Sequence, residues 1–256
     1  MTYLRIFWTG WFFQLKNLTR SGLFVFTSLV EPLIISTLSF YMFKAGHRPG
    51  TLFYAALGAG VLGIWSSTLF GSGGAISWQR WQGTLELLVA APPPLIAIVV
   101  PLAIATSTIG MYSLTATLLW GKFAFGIPFH LVHPLLFAVA VPAAVVGLGL
   151  FGLLIASTFV LYRAANALAN MLEFPIALVC GVMVPLSILP GWSNPIGWVL
   201  APTWGVRAIK RAALGGDAVT PILMCVGLGA VYVVLGAYFI RIMERRAMQR
   251  ATLSLT

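Results

Sequence analysis

The sequence predicts an all-α integral membrane protein with six transmembrane helices, an N-terminal amphipathic helix at the interface, and a re-entrant extracellular segment between spans five and six. Three observations predict it. Hydrophobic residues make up 60% of the 256 residues and charged residues only 8%, with mean hydropathy +0.98, a composition that cannot furnish a water-facing surface. Apolar runs recur at the length of roughly 20 residues that a helix needs to cross a bilayer core of about 30 Å. Of the nine tryptophans, all but Trp65 fall at the edges of those runs, the pattern of an aromatic belt.

Taken in order, residues 2–20 place Arg5, Thr9, Lys16 and Arg20 on one side of a helical projection and Leu4, Phe7, Trp8, Trp11, Leu15 and Leu18 on the other. That is an amphipathic helix lying in the headgroup plane. A crossing that starts at residue 2 is the alternative, and Arg5, Gln14 and Lys16 make it costly. No short apolar core leads to a small-residue cleavage site, so no removable signal peptide is expected and the first span acts as the address.

A single transmembrane domain over 1–256 then carries spans at about 22–43, 52–74, 94–119, 132–162, 168–188 and 221–240. The turn from Lys44 to Gly50 ends the first, and 121–129 forms a short loop after the third. The fourth is too long for a bilayer unless it tilts or extends beyond it. After the fifth, Pro190, Gly191, Asn194, Pro195 and Pro202 break any continuous crossing, so 189–216 reads as irregular or re-entrant chain ending in a surface helix. Such backbone survives at membrane depth only where protein or water satisfies it.

The net charge of +10 comes from 15 Lys and Arg scattered at the edges of apolar runs, which suits membrane lipids and argues against nucleic acid. Nine of them fall inside and six outside if the termini are cytoplasmic, although Arg207, Lys210 and Arg211 oppose that rule. Cys180 and Cys225 sit within predicted spans as small buried residues, neither a disulfide nor a metal pair.

Few motifs carry chemistry. In span two Ala55, Ala59, Gly63, Ser67, Gly71 and Ala75 recur at every fourth residue, a row of small side chains that admits a close helix. Its partner is either a helix of the same chain or a second subunit, with Gly63, Ser67 and Gly71 at the centre of the seam. Glu31, before Pro32, and Glu173, near Pro175, are intramembrane carboxylates, which cost a few kcal/mol and face a protein interior or a cavity. Structural carboxyls or a proton-coupled pathway both fit them. His130 and His133 are three apart, but no acidic or sulfur ligand completes a metal site, and no metal or cofactor is expected in this chain. There is no HExxH pattern, no GxSxG elbow and no GxxxxGK[ST] loop, so the chain is not expected to be an enzyme, and ATP, if used, must be bound elsewhere.

Between spans two and three runs Trp78, Gln79, Arg80, Trp81, Gln82, Gly83, Thr84, Leu85 and Glu86, continuing through Leu87 and Leu88 to Pro92. This polar segment lies on the side of the termini, and Gly83 and Thr84 punctuate a helical pattern between two charges. It is either a loop anchored at the headgroups by Trp78 and Trp81 or a segment held by a cytoplasmic partner.

The segment resembles the cytoplasmic loop of the ABC-2 family of transporter permeases, close to E-R-E-x-G-T-L-E-x-L-L-x-x-P. Arg80, Gly83, Thr84, Leu85, Glu86, Leu87, Leu88 and Pro92 match, and Gln79 replaces an acidic residue. Downstream, Cys180 to Trp192 is similar to the family's S-G-x-x-x-P-x-x-x-L-P-x-W segment, with Cys180 for serine and with Gly181, Pro185, Leu189, Pro190 and Trp192 in place. Ala201 to Arg211, holding Pro202, Trp204 and Arg207 and followed by Gly215 and Gly216, resembles the family's extracellular segment before the last span. Glu31, Pro32 and Leu33 resemble the first span of the branch that includes nodulation-factor and antibiotic exporters.

This resemblance implies the permease subunit of a bacterial ATP-driven exporter in the cytoplasmic membrane, moving an amphiphilic small molecule, lipid or glycoconjugate. It implies two separate ABC ATPase subunits that hold ATP and Mg, and a second permease copy or paralogue. Trp78 to Glu86 becomes the coupling helix, and Pro185, Pro190, Trp192, Pro202, Trp204 and Arg207 belong to an outer re-entrant gate. The alternative is a proton-coupled secondary transporter using Glu31 or Glu173.

Overall fold

In lipid a backbone must satisfy its own N–H and C=O groups, and the helix does so within one segment. All the regular structure among the described residues is helical. The computed structural model describes residues 2–45, 52–81, 83, 93–128, 130–159, 165–182, 186 and 189–250. In chain order the helices are α1 (Thr2–Arg20), α2 (Gly22–Ala45), α3 (Leu52–Trp81), α4 (Leu95–Phe125), α5 (Pro134–Phe159), α6 (Ala165–Val179), α7 (Ser193–Val199), α8 (Ala201–Leu214) and α9 (Val219–Arg250).

Four of these are long and apolar enough to cross a membrane, through Leu52–Gly71, Leu95–Phe125, Pro134–Ile155 and Val219–Ile242. Within α2 the apolar stretch so described is Val30–Met42. α6 has 15 residues and rises only about 22 Å, short of the hydrocarbon thickness.

α3 is the hub. It packs most extensively on α4 and also meets α2, α5 and α6, while α5 joins the group to α8 and α9. Trp65 of α3 is 1% exposed and stacks on Phe151 of α5 at 5.7 Å between ring centroids, and Phe151 meets Tyr232 of α9 at 5.4 Å. This aromatic thread ties three helices through the centre of the core, which explains the single tryptophan found away from an interface.

α1 docks on α4 rather than lying free. Gly10 fits against Pro101, where an added Cβ would come within 3.2 Å, and the Trp11 indole N–H donates to Thr108 Oγ1 at 3.4 Å. Gln14 is buried, while Leu4, Trp8, Phe12 and Phe13 are exposed. The face on the protein is therefore narrower and more polar than the apolar side of the helical projection.

Two helices end elsewhere than their hydropathy suggests, each at a glycine. α4 continues past Leu119 to Phe125, whose ring packs on Phe40 and Tyr41 of α2, and stops where Gly126 takes φ +64°. α6 stops at Val179 rather than reaching Ile188. There Gly181 adopts φ +71°, its N–H donates to Leu178 O, and the Val182 N–H donates to Ala177 O. That pair of bonds around a left-handed glycine terminates a helix whatever the hydrophobicity of the residues that follow. The last helix starts at an exposed turn, where Asp217 Oδ1 accepts the N–H groups of Val219 and Thr220. Hydrogen bonding to Thr220 holds the Asp217 carboxyl below its ordinary pKa.

Candidate functional site

The small-residue row of α3 lies against α4 of the same chain. A Cβ on Gly63 would fall 1.7 Å from Ser113 Oγ, and one on Gly71 would fall 2.6 Å from Thr106 Cγ2. Gly60 and Gly110, outside that row, are equally tight: their added Cβ atoms would lie 2.8 Å from Leu114 Cα and 2.6 Å from Ile64 Cα. Between them Thr68 Oγ1 and Ser107 Oγ are 2.7 Å apart. Contact partners descend along α4 as residues ascend along α3, so the two helices run antiparallel in one register. Thr68, Thr106 and Thr117 also donate to carbonyls three or four residues back, which lets these three hydroxyls line the seam without stranding their donors.

Beside this seam both carboxylates approach Ser66, which bonds Glu173 and borders the cavity that Glu31 lines. Glu173 of α6 is buried; its Oε1 accepts the Ser66 hydroxyl, and its backbone carbonyl accepts the Trp65 indole N–H at 3.0 Å. Glu31 of α2 is half-buried. It lines a cavity of about 260 Å³ between α2 and α3, with Phe24, Ser28 and Pro32 on one wall and Gly63, Ser66, Ser67 and Phe70 on the other. The fold thus brings together two acids 142 positions apart in the chain. Glu31 lies nine residues into α2, about 14 Å along it.

The break between α7 and α8 is built around Tyr232. Leu200 is extended between α7 and α8 (φ −91°, ψ 115°), and the Tyr232 hydroxyl donates to Val199 O at 2.5 Å while accepting the Ala201 N–H at 3.0 Å. The Trp204 indole N–H donates to Trp198 O at 2.9 Å, and the Arg207 guanidinium lies 4.9 Å from the Trp204 ring centroid. Pro202 starts α8, where its missing N–H costs nothing. Pro190 precedes α7 and accepts from Ser193, whereas Trp192 is exposed and Pro185 lies outside the described residues.

Lys210 is the member of the basic cluster that the positive-inside rule could not place. It is buried, with Nζ donating to Gly181 O at 2.9 Å and Val182 O at 2.7 Å and lying 3.6 Å from the centroid of the Tyr54 ring. A cation on the turn that follows α6 lies at the negative end of that helix's dipole. The ammonium therefore fastens α8 to the ends of α6 and α3, and works as an anchor rather than as a topology signal.

At the other end of α3, Trp78, Gln79, Arg80 and Trp81 continue the helical backbone beyond the apolar stretch, and Gly83 turns it with φ +67° in open space. Gln82, Thr84, Leu85 and Glu86 lie outside the described residues. Cys180 and Cys225 are buried free thiols in different helical regions. Among the described residues no group of three metal-ligating side chains forms, His130 and His133 included.

With this geometry in view, the family described as ABC-2 type transporter matches residues 5–214, from α1 through α8. No curated protein matches the chain as a relative.

Proposed function

Because this chain belongs to the ABC-2 type transporter family and supplies the transmembrane permease part of such a transporter, we propose that it exports an amphiphile under the drive of two separate ATPase subunits. The cargo class is an amphiphilic small molecule, lipid or glycoconjugate, since walls with few charges suit such molecules better than free ions. ATP and Mg reside on the partner chains. A second permease, identical or related, completes the pathway in a bacterial cytoplasmic membrane.

On this reading α2 and α6 join the four long apolar helices to make six crossings, with both termini cytoplasmic. α6 falls short of a full span and is completed outward by the chain through α7 and α8, which form the re-entrant outer gate. Trp78 to Glu86 is the coupling helix. The observation that carries the proposal is the family match, which takes in both the inner end of α3 and the outer break around Leu200.

The experiment is reconstitution of the permease with its ATPase partner in vesicles. Gly83→Val places a β-branched residue where φ is positive, and Glu86→Gln removes the charge of the coupling motif. Both variants are expected to express normally, to lose stimulation of ATPase activity by cargo, and to lose ATP-driven transport. Unchanged coupling in both removes the assigned role. Transport under an imposed pH gradient without any ATPase chain instead supports the proton-coupled reading, which the approach of Glu31 to Glu173 favours.

A further inference from the structure

Glu31 lines two cavities, one carrying hydroxyl groups and the other apolar apart from the acid itself. On one side is the space shared with α3, where the carboxylate is joined by the hydroxyls of Ser28, Ser66 and Ser67. On the other is an open groove of about 360 Å³ walled by Phe26, Val30, Ile34 and Ile35. A molecule that fills both has a polar end and an apolar end.

The sign of the polar end follows from the groups that surround it. Among the described residues the lining holds an acid and no Lys or Arg, and the second carboxylate nearby, Glu173, is already engaged through Oε1 by the Ser66 hydroxyl. A carboxylate at this depth is costly to ionise alone, and a positive partner stabilises its charged form. Phe24 and Phe70 frame the same space, and aromatic faces attract a desolvated ammonium. An independent observation points the same way. Ser113 Oγ is fully buried with no hydrogen-bond partner and occupies the position of the missing Gly63 side chain, directly behind the Gly63 and Pro32 wall of the cavity. A buried hydroxyl left unsatisfied costs stability, and this one lies immediately outside the cavity lining.

We propose that the cavity between α2 and α3 binds the protonated amino group of a membrane-partitioned amine, with Glu31 as its counter-ion and the alkyl tail lying along the Phe26 to Ile35 groove. Glu173, held by Ser66 and the Trp65 indole, positions that wall. Naming this amine as the cargo rests on the exporter reading; its binding does not.

The test uses the full-length chain in lipid nanodiscs and tritiated dodecylamine, with uncharged dodecanol as competitor. Saturable amine binding is expected, and dodecanol should displace it only at about a tenfold or greater excess, the factor one charge-assisted contact confers. Glu31→Gln should weaken binding by about tenfold or more for the same reason, without lowering thermal stability, because it removes a carboxylate that is costly to ionise at this depth. Ser28→Leu, which fills the polar end and leaves the acid in place, should weaken binding comparably and guards against a folding defect in the first variant. Equal affinity for amine and alcohol, or binding untouched by both substitutions, overturns the proposal. Gly83→Val is the control that separates the two readings: it should bind amine normally. Absent amine selectivity with intact ATP coupling overturns only this site, whereas amine binding with no ATPase dependence of transport overturns only the exporter reading.

Discussion

Gly110→Ala and Gly227→Ala make the same chemical change and should move stability in opposite directions. At Gly110 the new methyl would lie 2.6 Å from Ile64 Cα and 3.2 Å from Ile64 Cβ across the α3/α4 seam. A backbone atom cannot rotate aside, so relief requires the helices to part by roughly 1 Å, which forfeits dispersion contacts on both sides. Overpacking of this kind costs about 1–3 kcal/mol, and the better helix propensity of Ala returns up to about 1 kcal/mol. The net loss of about 1–2 kcal/mol should lower the apparent Tm by roughly 2–8 °C for a chain of this length. At Gly227 of α9 nothing lies within 4 Å of an added Cβ, so only the propensity gain remains, a rise of at most about 4 °C. Unfolding of the purified chain in nanodiscs, followed by tryptophan fluorescence, reads both. If Gly110→Ala is as stable as Gly227→Ala, the two helices do not approach at this register, and the assignment of the small-residue row to an intrachain seam fails.

Lys210→Met keeps the aliphatic stem and removes the ammonium from Gly181 O and Val182 O, so it should cost about 1–3 kcal/mol, partly offset by the desolvation no longer required. The exposed neighbour Arg211→Met is its control and should leave the same unfolding curve nearly unchanged. Tyr232→Phe leaves the buried Ala201 N–H without an acceptor and Val199 O without a donor, a loss of about 1–3 kcal/mol. If that hydroxyl holds the outer break, the variant should also lose ATP-driven transport in vesicles while ATPase binding, measured by co-purification, is retained.

What could be read from the chain was what depends on periodicity and punctuation. The amphipathic α1, the apolar bodies of the long helices and the break at Pro190 to Pro202 follow from hydrophobic spacing and from residues that cannot continue a helix. Contacts between distant segments are another matter. Glu31 and Glu173 could each be recognised as costly at depth, but their approach depends on α6 packing on α3, which no local pattern encodes. Lys210 was misleading for a related reason: a lysine counted as a topological charge is here a buried donor for helix-end carbonyls. A signal for Gly60 and Gly110 did exist. Thr106, Ser107, Gly110, Ser113 and Thr117 form a small and polar face on α4, and matching it antiparallel to the row on α3 finds the seam without coordinates.

That seam bears on how motion could cross the membrane. α3 is one continuous helix of 30 residues, about 45 Å long, and it meets a different functional region at each level. Its outer end carries Tyr54 beneath the Lys210 ammonium, its middle carries Trp65 and Ser66 on Glu173, and its inner end leads to the Gly83 turn. Glycines pressed against α4 at Gly60, Gly63 and Gly71 leave no room for α3 to slide alone, because side chains of α4 occupy the space above each of them. Force applied at Gly83 would therefore move α3 and α4 as a pair. The polar links at Glu173 and Lys210 are the places where that pair can part from α6 and α8. A disulfide or short crosslink joining α3 to α4 should then leave transport intact, whereas one joining α3 to α6 near Ser66 should abolish it. The opposite result, loss of transport on fixing α3 to α4, would mean that the tight seam is itself the moving joint.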